Sequence, residues 1–145
     1  MRPVPKIYKM HFGFGEDYPP ELKSLTKDGK HHGFDYLTPS GTLGSAGVDG
    51  VLNHIGFLRG YGLAVIVKFW TGSLWWKKQY RVIMAHLSYI LTLKRVGEKV
   101  KKTENLYITG DSGTAKGHPH LHVEVQEYTE VGWVAIDPSF AVGDA

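Results

Sequence analysis

The chain has 145 residues, a formal net charge of +3 and no cysteine. Its length predicts one domain with its own core. The lack of cysteine excludes disulfides, thiolate metal sites and a cysteine nucleophile, so any metal ion would need histidine and carboxylate ligands.

Eight segments have the short, apolar or alternating pattern that is typical of β-strands. They are residues 6–14, 33–38, 50–58, 63–70, 79–88, 106–110, 120–128 and 133–138. Residues 19–30 are predicted to form an irregular loop. Residues 89–102 could form a short helix, although their β-branched residues and Gly97 disfavour one. The pattern predicts an all-β fold, mainly antiparallel sheet with little helix.

His120 and His122 lie two residues apart in the segment 120–128. Side chains two apart in a strand project to the same face, so one could ligate a metal ion while the other lies beside its open position. Such a pair is also common on a solvent-facing strand, and both interpretations stay open on this evidence alone.

Two further candidate groups precede this pair. His31 and Asp35 are four residues apart, and a turn with positive φ at Gly33 would bring the imidazole towards the carboxylate. Together with a histidine from elsewhere, they would make the three-ligand set of catalytic zinc sites. His86 lies in an apolar segment, where a histidine bonded to the backbone is the commoner outcome.

Seven short motifs follow one another along the chain, and IDP comes after them. They are HHGFDY, PSGT, DGV, RGYG, AHLSYI, GDSGTAKG and HLHVEV. In this order they resemble the lysostaphin-like zinc metallopeptidases, which cleave peptide bonds in bacterial peptidoglycan. The resemblance covers residues 7 to about 140. No HExxH motif is present, so a glutamate base on a zinc-binding helix is excluded.

The resemblance implies a single zinc metallopeptidase domain over residues 1–145 that binds Zn²⁺ through His31, Asp35 and His122. It also implies that His86 and His120 form the catalytic pair beside the metal. His32 and His118, which many relatives lack, are alternative ligands. The run TLGSAG replaces a TPVYA-like run of the family, which would alter one wall of the cleft.

The partner implied by the resemblance is the peptide part of peptidoglycan, with no nucleic acid and no membrane insertion, and the domain is expected to be a monomer. It would act in the extracellular space, periplasm or cell wall. Because residues 1–20 contain no apolar signal segment, we expect delivery by a phage particle, by lysis or within a longer secreted parent.

Residues 71–80, TGSLWWKKQY, predict an aromatic and basic hairpin. Trp75 and Trp76 either form a hydrophobic rim with solvated lysines or, with Tyr61, bind substrate.

Two other functions fit parts of the sequence. A catalytically weak relative could bind the cell wall or activate other hydrolases, but such relatives lose ligands, and every ligand position is filled here. A basic β-barrel that binds nucleic acid would leave the histidine pattern unexplained. The sequence therefore favours an endopeptidase of peptidoglycan and leaves open which peptide bond it cuts.

Overall fold

Antiparallel strand pairing dominates the computed structural model, which describes residues 1–142. Ten strands within this range join into one sheet. They are β1 (Met10–Phe12), β2 (Phe34–Tyr36), β3 (Leu43–Gly44), β4 (Gly50–Leu58), β5 (Gly62–Gly72), β6 (Lys77–Ile90), β7 (Lys99–Val100), β8 (Tyr107–Thr109), β9 (Leu121–Thr129) and β10 (Gly132–Ile136).

The main path through the sheet runs β1-β2-β9-β6-β5-β4-β7, while β10 pairs with β9, and β3 reaches β6 through β8. Strand β5 lies between β4 and β6, as its nearly continuous apolar sequence predicts. Its residues 64–67 are buried on both faces of the sheet. Such burial suits a central strand, because neither face meets water.

The alternation of side chains along β9 separates the core from the candidate site. Leu121, Val123 and Val125 are fully buried in the hydrophobic core. His122 and Glu124 project from the other face, where both line a cleft. In β2, Phe34 and Tyr36 likewise join the core and leave Asp35 on the cleft side.

Each of the eight predicted strand segments overlaps a strand, and the segment 50–58 has the bounds of β4. The two-residue strands β3 and β7 were not predicted. No helix forms within residues 89–102, where β6 continues to Ile90 and β7 follows. The helical content of residues 1–142 is three short 3-10 helices, at Pro20–Leu25, Gly113–Ala115 and Pro138–Phe140. None of the helices in this range is long and apolar enough to cross a membrane.

Candidate metal centre

The pairing of β2 with β9 places Asp35 directly opposite His122. Their Oδ1 and Nδ1 atoms are 2.8 Å apart. Gly33 permits this approach, since a Cβ there would lie 2.3 Å from the carbonyl oxygen of Val123. The predicted positive φ at Gly33 is wrong, because this residue is not among those in the left-handed region. Glycine is required there because the neighbouring strand is too close for a side chain.

His31 completes a group of three potential metal ligands with these two residues. Its Nε2 lies 3.1 Å from Asp35 Oδ1 and 3.2 Å from His122 Nδ1. Among residues 1–142, these are the side chains whose donor atoms gather closely enough to hold one metal ion. The alternative ligands His32 and His118 lie outside the group, and His32 contacts Asp28 at 2.9 Å instead.

The segment around β1 fixes the orientation of His31. The ring Nδ1 donates to the carbonyl of Gly13 at 3.0 Å, which leaves Nε2 for the metal side. Phe12 stacks on the imidazole at a centroid distance of 4.3 Å, and Tyr18 contacts it edge-on at 5.8 Å. No pattern in the sequence indicates this packing, because the contacts join residues that are distant along the chain.

His86 and His120 lie together beside the ligand group, with ring centroids 4.8 Å apart. The Nδ1 of His86 donates to Ser112 O at 2.7 Å, and that of His120 donates to His118 O at 2.8 Å. In the neutral rings, these bonds place the proton on Nδ1 and leave Nε2 free as a proton acceptor. His120 Nε2 lies 3.7 Å from Asp35 Oδ1.

The backbone bends at His86, which has a φ of 63°. Up to Ala85, β6 pairs with β9, and from Leu87 it pairs with β8. A left-handed conformation is uncommon for a residue other than glycine, although histidine adopts it more often than most. The bend therefore places the imidazole where the two neighbouring strands diverge, and the backbone N–H of His86 donates to Tyr61 O at 2.8 Å.

Two glycine-containing loops hold this bend in place. A Cβ on Gly62 would lie 2.5 Å from the backbone nitrogen of Gly113, so the loops 59–62 and 110–117 touch through bare backbone. Ser112 Oγ donates to Leu87 O at 2.7 Å and accepts from Leu63 N at 3.0 Å. This packing explains why RGYG and GDSG occur together, since both motifs position His86.

Burial and hydrogen bonding set the charges of the ligand group when no metal is bound. Burial raises the pKa of Asp35, but hydrogen bonds from His122 and His31 outweigh this and hold it well below its usual value. Burial lowers the pKa of His122, but hydrogen bonds to Asp35 and Glu124 raise it to about 9. A cation is thus favoured between the carboxylates of Asp35 and Glu124.

The pKa of His86 is shifted in the opposite direction, to about 4. Burial is the largest cause, and the nearby His120 and His122 lower it further. His86 is therefore neutral near pH 7 and can accept a proton at Nε2.

These residues lie in an open cleft of about 910 Å³. One wall is apolar and includes Leu22, Leu25 and Leu37, while Arg59 lies at the turn before β5. Tyr61, a predicted substrate-binding residue, lines the cleft. Trp75 and Trp76 do not line it, because they lie in the β5–β6 turn, where they are 93% and 61% exposed.

Sequence reasoning assigned no role to Glu124, although it is 3% exposed and its Oε1 lies 3.2 Å from His122 Nε2. The same alternation that relates His120 to His122 would have placed Glu124 on this face. Nothing in the sequence indicated why a carboxylate would be buried at this position, so Glu124 was not singled out.

Comparison with solved structures shows a shared fold. The catalytic domain of lysostaphin from Staphylococcus simulans has a TM-score of 0.69 at 23% identity, covering 91% of this chain and 90% of that one. The catalytic domain of the prophage-encoded M23 protein EnpA from Enterococcus faecalis has a TM-score of 0.70 at 22% identity, covering 95% and 94%.

Sequence comparison finds relatives in curated proteins. The DD-carboxypeptidase/endopeptidase Mpg of Neisseria meningitidis is 33% identical over 96 residues, 66% of this chain and 20% of the relative. An uncharacterized metalloprotease of Haemophilus influenzae is 32% identical over 94 residues, 65% and 18%. The chain thus spans about a fifth of the length of these relatives. Residues 29–138, well over half of the chain, match the peptidase family M23, and the chain belongs to that family.

Proposed function

We propose that this protein is a zinc-dependent endopeptidase that cleaves peptide bonds in bacterial peptidoglycan. The observation that carries the proposal is the convergence of His31, Asp35 and His122 at donor separations of 2.8 to 3.2 Å. His86 and His120 line the same cleft. Membership of a peptidase family makes hydrolysis the chemistry that this arrangement serves.

The donor set suits zinc. Two imidazole nitrogens and one carboxylate oxygen are ligands that Zn²⁺ prefers, and three protein ligands leave a fourth position free in catalytic sites. Bonds of roughly 2.0 to 2.1 Å in a tetrahedron would separate neighbouring ligand atoms by roughly 3.3 Å. The observed separations are close to this value, so only small side-chain adjustments would be needed.

When bound, zinc supplies the Lewis acidity that activates water at neutral pH and polarises the scissile carbonyl. In the proposed reaction, the water oxygen bonds to the carbonyl carbon and the carbon–nitrogen bond then breaks. His86 and His120 carry a proton from the attacking water to the leaving amine through their free Nε2 atoms. A protonated histidine at this position also stabilises the developing oxyanion.

The motif resemblance points to peptidoglycan as the substrate, and the activities of the relatives are compatible with it. The relative Mpg is a DD-carboxypeptidase/endopeptidase, and the structural neighbour lysostaphin is an antimicrobial peptidase. We propose that this chain cleaves the peptide part of peptidoglycan, outside the cytoplasm, with Tyr61 contacting the peptide. A phage particle, host lysis or a longer secreted parent would deliver it.

The test combines metal analysis with wall digestion. We expect one zinc ion per chain, loss of wall lysis on chelation and recovery when zinc is added back. Mass spectrometry of fragments from walls of different cross-link chemistry then identifies the bond. Purified protein that neither contains nor takes up zinc would contradict the proposal.

A further inference from the structure

A buried carboxylate, Glu124, lies behind the candidate metal site. It is 3% exposed and follows His122 on the same face of β9. His122 Nε2 lies 3.2 Å from Glu124 Oε1, while Nδ1 of the same ring lies 2.8 Å from Asp35 Oδ1. The imidazole is therefore held between a candidate ligand on one side and Glu124 on the other.

Hydrogen-bond donors surround the Glu124 carboxylate. The Tyr61 hydroxyl is 3.1 Å from both oxygens, and the Gln126 side-chain amide donates to Oε2. The His122 ring donates to Oε1. Because a carboxylate accepts at both oxygens, it satisfies all three neighbours, whereas a neutral amide would place an N–H against a donor on one side.

A row of side chains across three strands fixes this arrangement. Arg81 on β6 donates from Nε to Gln126 Oε1 on β9 at 2.7 Å, which sets the orientation of the Gln126 amide. The guanidinium lies 4.3 Å from the ring centroid of Trp133 on β10. Neither Arg81 nor Trp133 lines the cleft, so the hydrogen bonds of the row reach the site through Gln126 and Glu124.

We propose that Glu124 is the positioning residue of the metal centre. It keeps the proton of His122 on Nε2, so that the Nδ1 lone pair points towards Asp35 and His31. Its negative charge also makes that lone pair a stronger donor, as carboxylates behind metal-bound histidines generally do. This inference rests on the metal site proposed above.

The first test compares Glu124→Gln with Glu127→Gln by zinc titration against a competing chelator. Glu127 lies on the opposite face of β9 and pairs with Lys78 at 3.4 Å, so it is a matched control. We expect zinc affinity to fall by roughly 10- to 100-fold in the first variant and to be unchanged in the second.

The double variant Glu124→Gln/Gln126→Glu keeps the test decisive if Glu124→Gln alone does not fold. It exchanges the two side chains, so each donor still meets an acceptor while the charge moves away from His122. We expect it to fold and to bind zinc more weakly than the wild type. Zinc affinity equal to the wild type in every folded Glu124 variant would overturn the proposal.

Nitrogen-15 NMR of the zinc-loaded wild type provides a readout that a merely structural role would not predict. We expect the proton of His122 on Nε2 and the metal on Nδ1, and the reverse assignment would overturn the proposal. A wild type that binds no zinc would instead contradict the proposed function, so the two failures are distinguishable.

Discussion

His120 and His122 are separated by one residue on the same face of the sheet, yet their surroundings differ. His122 is buried and contacts Asp35 and His31, whereas the His120 side chain is 20% exposed and nearest to His86. A buried histidine that contacts two other potential metal ligands is well placed to bind the metal itself. A partly exposed histidine beside the open side of the site is well placed to transfer protons.

Alanine substitutions should therefore affect these two histidines differently. His122→Ala removes one of three proposed ligands, so we expect zinc affinity to fall by orders of magnitude and the stabilisation by bound zinc to fall with it. His120→Ala should retain zinc and lose turnover by roughly 10²- to 10⁴-fold. Zinc content and wall-lysis rate are measured for each variant. Loss of zinc from His120→Ala but not from His122→Ala would reverse the assigned roles.

The low pKa of His86 predicts how the stability of the metal-free protein depends on pH. The pKa is about 4 in the folded protein and about 6.5 in the unfolded chain. Between these pH values the unfolded chain binds more protons than the folded protein does. The contribution of His86 to the free energy of unfolding is therefore complete above pH 6.5 and is lost as the pH falls towards 4. The free energy of unfolding should decrease by about 3 kcal/mol over this window.

His86→Asn isolates this contribution, because asparagine also tolerates the left-handed backbone at this position. Denaturant unfolding of both metal-free proteins from pH 7 to pH 4 should show a smaller decrease for the variant. Parallel curves for the two proteins would show that His86 is not the titrating group.

At the scale of strands and loops, the close contact between the loops 59–62 and 110–117 holds the backbone bend at His86. Both Gly60 and Gly62 have positive φ, but a Cβ at Gly60 would meet nothing within 4 Å, whereas one at Gly62 would clash with backbone. The two positions therefore separate the cost of the left-handed conformation from the cost of pushing the loops apart.

Gly60→Ala should lower the free energy of unfolding by about 1 to 2 kcal/mol, the cost of the left-handed conformation. Gly62→Ala should lower it by about 1 to 3 kcal/mol more, because the loops must separate. Displacement of Ser112 should also reduce activity, since its carbonyl accepts from His86. Chemical denaturation and wall lysis check both effects, and equal destabilisation by the two variants would argue against the loop contact.

Periodicity in the sequence was sufficient to predict the long strands, because alternation over several residues leaves a clear pattern. It could not reveal β3 and β7, since two residues carry no period. The pairing of Asp35 with His122 and the stacking of Phe12 on His31 depend on which strands become neighbours. The motif resemblance supplied the three potential ligands that pattern alone left undecided, and the structure brings them together.

At the scale of the whole molecule, the cleft lies far from the tip of the aromatic hairpin, residues 73–76 between β5 and β6. Strand β6 begins at Lys77 beside the tip and reaches His86 nine residues later, which corresponds to about 30 Å of strand. Trp75 and Trp76 are therefore too far from the ligand group to contact a peptide bond held beside it. If they bind substrate, they contact a distant part of the polymer.

We therefore expect Trp75→Ala/Trp76→Ala to slow the digestion of intact walls on the order of tenfold, about 1.4 kcal/mol of lost binding. Hydrolysis of a short soluble peptide should be unchanged, because such a peptide cannot reach the tip. Leu74→Ala is the control, since Leu74 lies in the same turn and is 95% exposed. Equal loss on both substrates would show that the tip affects folding or the cleft.

In the segment that joins β1 to β2, some residues orient His31 and others line the cleft. Gly13 and Tyr18 hold His31, whereas Leu22 and Leu25 line the cleft with apolar side chains that cannot bind a metal ion. Changes at positions 19–26 could therefore alter which peptides fit without disturbing metal binding. A directed-evolution library confined to these positions should therefore retain a high share of metal-binding variants. The same library should sample new cleavage preferences.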